Sequence, residues 1–344
     1  MKELLRNFRE ETQEALLDLL WRQWCSLGVA GNAKPANPDY LIDPEALILA
    51  TSSIGVLDPR LFDEALDWLA SYGALINLQR LKNIQKASPF GDEQVISAMA
   101  DWLSTHATQP RWKALVSRKA AGQSPRVLFV EAGNISPRFT DETFSKFGLI
   151  RGCFEIRGMG RPPDPSLLPN LLLSMRALIG VSARAEVILY LAGGTPTHAS
   201  ELARATQYAP RTMQTLLQEM SLSGHLFAQQ SPAAGKIRKG ANRRFSVQSR
   251  NWSFLTDGAP FPTWFLWPNL FNLGKCILDT PPADLGREVH SAVIASKLRD
   301  AVSGYQESMH YLKPDSRWIP QNHLSGEDLI RSLAAWFPSS VKEL

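Results

Sequence analysis

The sequence predicts a mostly α-helical, multi-domain chain whose central segment is a three-helix module ending in a two-stranded hairpin. Three observations carry this. Apolar residues recur at spacings of three and four through most of the chain, which is the helical period. The 344 residues exceed the usual length of one domain. Between residues 182 and 247 the pattern changes to short helices followed by two β-prone runs on either side of a basic, glycine-containing loop.

Residues 1–125 read as a helical N-terminal domain. Leu16, Leu17, Leu20 and Trp24 recur at helical spacing, as do Phe62, Leu66 and Leu69. The stretch "LDPRLFDEALDWLASYG" is a delimited helix, with Asp58 as N-cap, Pro59 in the first turn and Gly73 just past the end. Its acids Asp63, Glu64 and Asp67 are expected on a solvated face. Residues 126–165 are a connecting segment, with "VLFVEAG" as a short strand between the breaks "KAAGQSPR" and "GMGRPPDPS". The GxG in the second break is followed by two prolines, so it reads as a loop and not as a dinucleotide fingerprint. A leading helix over 166–180 opens the central domain, which runs to residue 255. Residues 256–344 form a helical C-terminal domain with three candidate helices. There Trp264 and Trp267, with Phe261, Phe265 and Phe271, are expected to pack the central domain against the C-terminal one, with a ligand pocket as the alternative.

Composition narrows the class. Hydrophobic residues at 44% and charged residues at 20% exclude a disordered or fibrous chain. Cys25, Cys153 and Cys276 are far apart with no CxxC pair, which argues against a disulfide framework or zinc ribbon and for a reducing cytoplasm. The first 24 residues form a charged amphipathic helix without an apolar signal core, and no run of about 18 apolar residues occurs. Neither export nor membrane insertion is expected. The sequence contains no GxSxG, GxxxxGK[ST] or HExxH motif, so no enzyme, cofactor or metal site is expected. His198 and His225 read as helix-start and strand-start residues.

The central module resolves into helix "ARAEVILYLA", turn, helix "ASELARAT", turn, helix "RTMQTLLQEMSLS", Gly224, strand "HLFAQQ", basic loop and strand "RRFSV". Thr197 stands where it can cap the second helix and Pro210 where its missing N–H costs nothing. Ala203 is small at the expected crossing, and Leu202, Met213 and Leu216 supply its shared core. Met213, Leu216, Leu217 and Met220 form one apolar face of the third helix. Its other face carries Arg211, Thr212, Gln214, Thr215 and Gln218. Gln207 holds the turn position where glycine is common.

This order of elements, over about residues 182–247, resembles the winged helix-turn-helix transcription regulators of the MarR and ArsR type. The resemblance implies a recognition helix at about 210–223 and a wing at about 231–244. Arg donates to guanine, Gln pairs with adenine and Thr serves either base or backbone. Between Leu202 and Thr256 lie eight basic residues and one acid, Glu219, a net +7 in a chain whose total is +4. Positive charge is therefore concentrated on the module whose shape fits a DNA groove. Arg204, Lys236, Arg238, Lys239, Arg243 and Arg244 join the helix stripe as candidate DNA-binding residues.

The expected function is a sequence-specific DNA-binding transcriptional regulator, a cytoplasmic homodimer on double-stranded DNA, with any small-molecule or protein effector left open. The alternative is a winged-helix protein-interaction scaffold, or an antitoxin-like partner of a neighbouring protein. A second acid-free stretch, Trp102 to Val130, holds Arg111, Lys113, Arg118, Lys119 and Arg126 and is a secondary candidate for flanking the DNA backbone. Trp112 inside it reads as a core anchor.

Overall fold

Among the described residues helix dominates the architecture, with two small sheets. The computed structural model describes residues 2–88, 90–121, 124–129, 140–230, 243–280, 288–309 and 326–344. The first part contains α1 (Lys2–Ser26), α2 (Pro44–Ser53), α3 (Pro59–Tyr72), α4 (Leu78–Ala87), α5 (Glu93–His106) and α6 (Glu142–Ser145). Two short strands, β1 (Arg126–Val127) and β2 (Leu149–Ile150), pair in parallel. Then follow α7 (Leu171–Ile179), α8 (Ala183–Gly193), β3 (Thr197–His198), α9 (Ala199–Thr206), α10 (Pro210–Ser221), β4 (Leu226–Gln230) and β5 (Arg243–Val247). The chain closes with α11 (Trp267–Leu278), α12 (Glu288–Met309) and α13 (Gly326–Glu343).

Contacts divide these elements into two units. Unit one comprises Met1–Asn37, Asp43–Pro162 and Leu266–Leu344, and unit two comprises Pro38–Ile42 and Pro163–Phe265. Where the sequence reading has separate N- and C-terminal helical domains, α1 packs against both α13 and α11 in one core. Leu16, Leu20 and Trp24, read from α1 periodicity, are fully buried there. Each end of the chain carries a helix with one apolar face, and burying the two faces together removes both from water.

In unit one, Asp58 caps α3 by accepting from the N–H groups of Arg60 and Leu61, with Pro59 at the first position, as the sequence indicates. The acids of α3 depart from expectation. Glu64 and Asp67 are 4% and 1% exposed, not solvated. Asp67 accepts from three successive backbone N–H groups, Arg157 at 2.6 Å, Gly158 at 3.0 Å and Met159 at 3.2 Å. Glu64 pairs with the Arg157 guanidinium, and Asp63 with Arg151 at 2.8 Å. The acidic stripe therefore supplies the hydrogen bonds that an irregular segment cannot make within itself. Arg151, buried, sits 5.0–5.8 Å from the ring centroids of Phe62, Phe129, Phe144 and Phe154.

In unit two the expected helix over 166–180 begins later. Pro169 lies in a 3-10 turn, Leu168–Asn170, and the α-helix starts at Leu171. The three-stranded sheet has the order β3-β5-β4, antiparallel throughout. Thr197 pairs with Phe245 and His198 with Arg244, while Ala228 faces Phe245 on the other side. Thr197 does not cap α9: it is paired in β3, and its hydroxyl donates to Glu201 at 2.6 Å. The aromatic cluster after residue 260 divides between the units. Trp264 is buried in unit two, where its indole N–H donates to the Ala205 carbonyl at 3.2 Å, whereas Trp267 stacks on Phe271 in unit one.

Candidate nucleic-acid interface

The site is built from α9, α10 and β5. Leu202 and Ala203 of α9 and Met213, Leu216 and Leu217 of α10 are buried, so the two helices share the core that their apolar spacing implies. The turn between them is closed by Gln207, which itself adopts the left-handed conformation, φ 61° and ψ 40°, that glycine usually supplies. Its side-chain amide donates to the Arg204 carbonyl at 2.8 Å, and the Tyr208 N–H donates to the Ala203 carbonyl at 3.0 Å. Tyr208 also ties the turn to α8 through a 3.2 Å hydrogen bond to Glu186.

Burial of one face of α10 fixes where the other points. Arg211, Thr212, Gln214, Thr215 and Gln218 are all exposed, on a single helix face, as their spacing implies. Arg204, Arg243 and Arg244 are exposed as well. A cleft of about 190 Å³ runs between the start of α9, α10 and β5, and Gln214, Gln218 and Arg243 are among the residues that line it. Arg204, Arg211, Thr212, Thr215 and Arg244 are not among its lining residues. Lys236, Arg238 and Lys239 lie outside the described residues.

The sequence marks His198 only as a helix-start residue and carries no signal at Ser200. Both line the cleft with Arg243. His198 Nδ1 lies 3.1 Å from the Arg243 carbonyl oxygen, and Arg244 Nε lies 3.4 Å from His198 Nε2. These bonds place the β5 arginines beside α9 by a cross-strand pairing that no local motif announces.

Glu219, the one acid between Leu202 and Thr256, forms an ion pair with Arg184 at 3.0 Å. Across the chain, the second basic stretch is partly structural. Arg111 donates to the carbonyls of Ala74 and Ile76 and Arg126 pairs with Asp92, while Lys113, Arg118 and Lys119 are exposed and Trp112 is buried. Among the described residues no group of three or more His, Cys, Asp or Glu side chains is arranged to hold a metal ion, and no helix is long and apolar enough to cross a membrane. No protein-family model, curated protein or solved structure matches this chain.

Proposed function

We propose that unit two is a winged helix that binds double-stranded DNA in a sequence-specific transcriptional regulator. In this reading α10 enters the major groove, and the hairpin strands β4 and β5 form the wing that grips the backbone; the wing segment expected at 231–242 lies outside the described residues. One observation carries it: the exposed stripe of Arg211, Thr212, Gln214, Thr215 and Gln218 stands opposite a buried face of the same helix, beside the exposed Arg243 and Arg244. Arg and Gln are the side chains with bidentate geometry for guanine and adenine. The helix N-cap, Ala209, offers no side-chain cap, so the first-turn N–H groups of α10 are available to a phosphate. The order helix, strand, helix, helix, strand, strand supports the same reading, as does the net +7 of residues 202–256.

One recognition helix reads only a few base pairs, so the reading includes a homodimer presenting two such helices about 34 Å apart. The deciding experiment is selection of bound sequences from a random duplex pool by the full chain. A recovered motif with two-fold symmetry is expected. Failure to enrich any sequence at low salt sinks the DNA reading, and an asymmetric single-site motif together with a monomer in light scattering sinks the dimer.

A protein-docking role is favoured by one separate feature of unit two. A recess of about 300 Å³ has Ile188, Met220, Leu226, Val247 and Trp252 in its lining, with the Arg184–Glu219 ion pair, Ser223 and His225 also bordering it. Leu222 and Phe254, nearby in sequence, are 89% and 65% exposed. Binding of a protein partner that survives high salt, with no retention on DNA, is the result that favours this second reading.

A further inference from the structure

Unit one holds a cavity of about 640 Å³ walled by α1, the loop at 32–34, the start of α3 and the end of α13. Its lining carries four cations, Arg22, Lys34, Arg60 and Lys342, against two carboxylates, Asp18 and Asp58. Both carboxylates are engaged. Asp58 caps α3 through Oδ1 and accepts from the Trp21 indole N–H through Oδ2 at 2.8 Å. Asp18 lies 2.8 Å from Nε of the buried Arg22. Lys34, Arg60 and Lys342 are exposed, and no carboxylate of a described residue comes within salt-bridge distance of any of them. The Arg60 guanidinium is held 5.6 Å from the centroid of the Trp21 ring.

The walls are tied together by hydrogen bonds between elements. The Ala36 N–H donates to Ser26 Oγ at 2.8 Å, and the Asn37 amide donates to the Glu343 carbonyl at 2.9 Å. The loop bearing Asn32 and Lys34 is thus tied to α1 at one side and to the last turn of α13, beside Lys342, at the other. Cations from three distant parts of the sequence are held around one space.

We propose that this cavity binds a small organic phosphate ester with at least two phosphate groups, of the nucleoside polyphosphate class. A planar guanidinium fork with two ammonium groups supplies the positive charge and the N–H donors that a di- or triphosphate takes up. The volume falls in the range of small-molecule sites and exceeds what a lone phosphate fills, while Asn32 offers a donor and an acceptor to the organic part. The site lies wholly in unit one and does not depend on DNA binding by unit two.

The test is calorimetric titration of the full chain with ATP, pyrophosphate and citrate, alongside the exposed-residue variants Lys34→Gln, Arg60→Gln, Lys342→Gln and their triple combination. ATP is expected to bind more tightly than pyrophosphate and pyrophosphate more tightly than citrate. Each single change should weaken ATP about tenfold, and the triple change should abolish binding. Three results overturn the proposal: no saturable ATP binding at millimolar concentration, ATP affinity unchanged in all the variants, or citrate binding as tightly as ATP. Loss of duplex binding in the triple variant, with no ATP binding by the parent chain, assigns these cations to a nucleic-acid surface and also overturns it. Circular dichroism checks folding, and if the triple variant unfolds the single changes decide.

Discussion

Arg176 of α7 donates to Glu186 of α8 at 2.6 Å, and both side chains are completely buried. Glu186 also accepts from Tyr208, so one carboxylate joins α7, α8 and the turn that sets the angle between α9 and α10. Losing one member of a buried pair strands the other charge in a low dielectric.

Glu186→Ala should therefore destabilise unit two by about 3–5 kcal/mol. The double change Arg176→Met with Glu186→Leu should recover most of that loss, because no charge is then left buried. Urea unfolding followed by circular dichroism measures both. A loss below about 1 kcal/mol for Glu186→Ala contradicts the prediction, since that is the scale of an exposed pair.

Gln207 tests the turn directly. Glycine there removes the left-handed penalty but also the amide bond to Arg204, so Gln207→Gly should leave stability unchanged or raise it by up to about 1 kcal/mol. Gln207→Val places a branched Cβ at φ 61° and should destabilise by more than that. Equal melting temperatures for the two variants count against the strained turn.

If unit two binds DNA, its affinity should fall steeply with salt, each phosphate contact adding about 0.9 to the log–log slope. Fluorescence anisotropy of a labelled duplex at several salt concentrations gives the slope. A flat response excludes the arginine-rich face as the binding surface.

The α10 stripe and β5 should divide the work. Ala at Arg211, Gln214 or Gln218 should cost about 1–3 kcal/mol on the preferred duplex and relax preference at one position. Arg243→Ala should weaken preferred and scrambled duplexes alike and lower the salt slope by about 1. The reverse pattern assigns sequence reading to the wing.

The three thiols should differ in reactivity. Burial pushes the Cys25 and Cys276 thiols up from their ordinary value, whereas Cys153 is exposed. Only the thiolate is nucleophilic, so iodoacetamide near neutral pH should label Cys153 first, with the other two lagging until the chain is unfolded. Peptide mass spectrometry resolves the order, and early labelling of Cys276 contradicts it.

What the sequence determined by itself was local. The Asp58–Pro59 start of α3 follows from an N-cap carboxylate and a residue without an N–H, and both act within one turn. The two faces of α10 follow from the 3.6-residue period alone, which is why Met213 and Leu217 are buried while Gln214 and Gln218 are exposed. Tertiary structure decided whatever depends on a partner far along the chain. The acids of α3 looked solvated because their partners, the backbone of 157–159 with Arg151 and Arg157, lie about ninety residues away. Placement of Trp264 and Trp267 in different units, the meeting of His198 with Arg243 and Arg244, and the joining of α1 to α13 are likewise long-range outcomes. Periodicity reports which face of an element is apolar, but the surface that covers it is chosen by packing among all such faces at once.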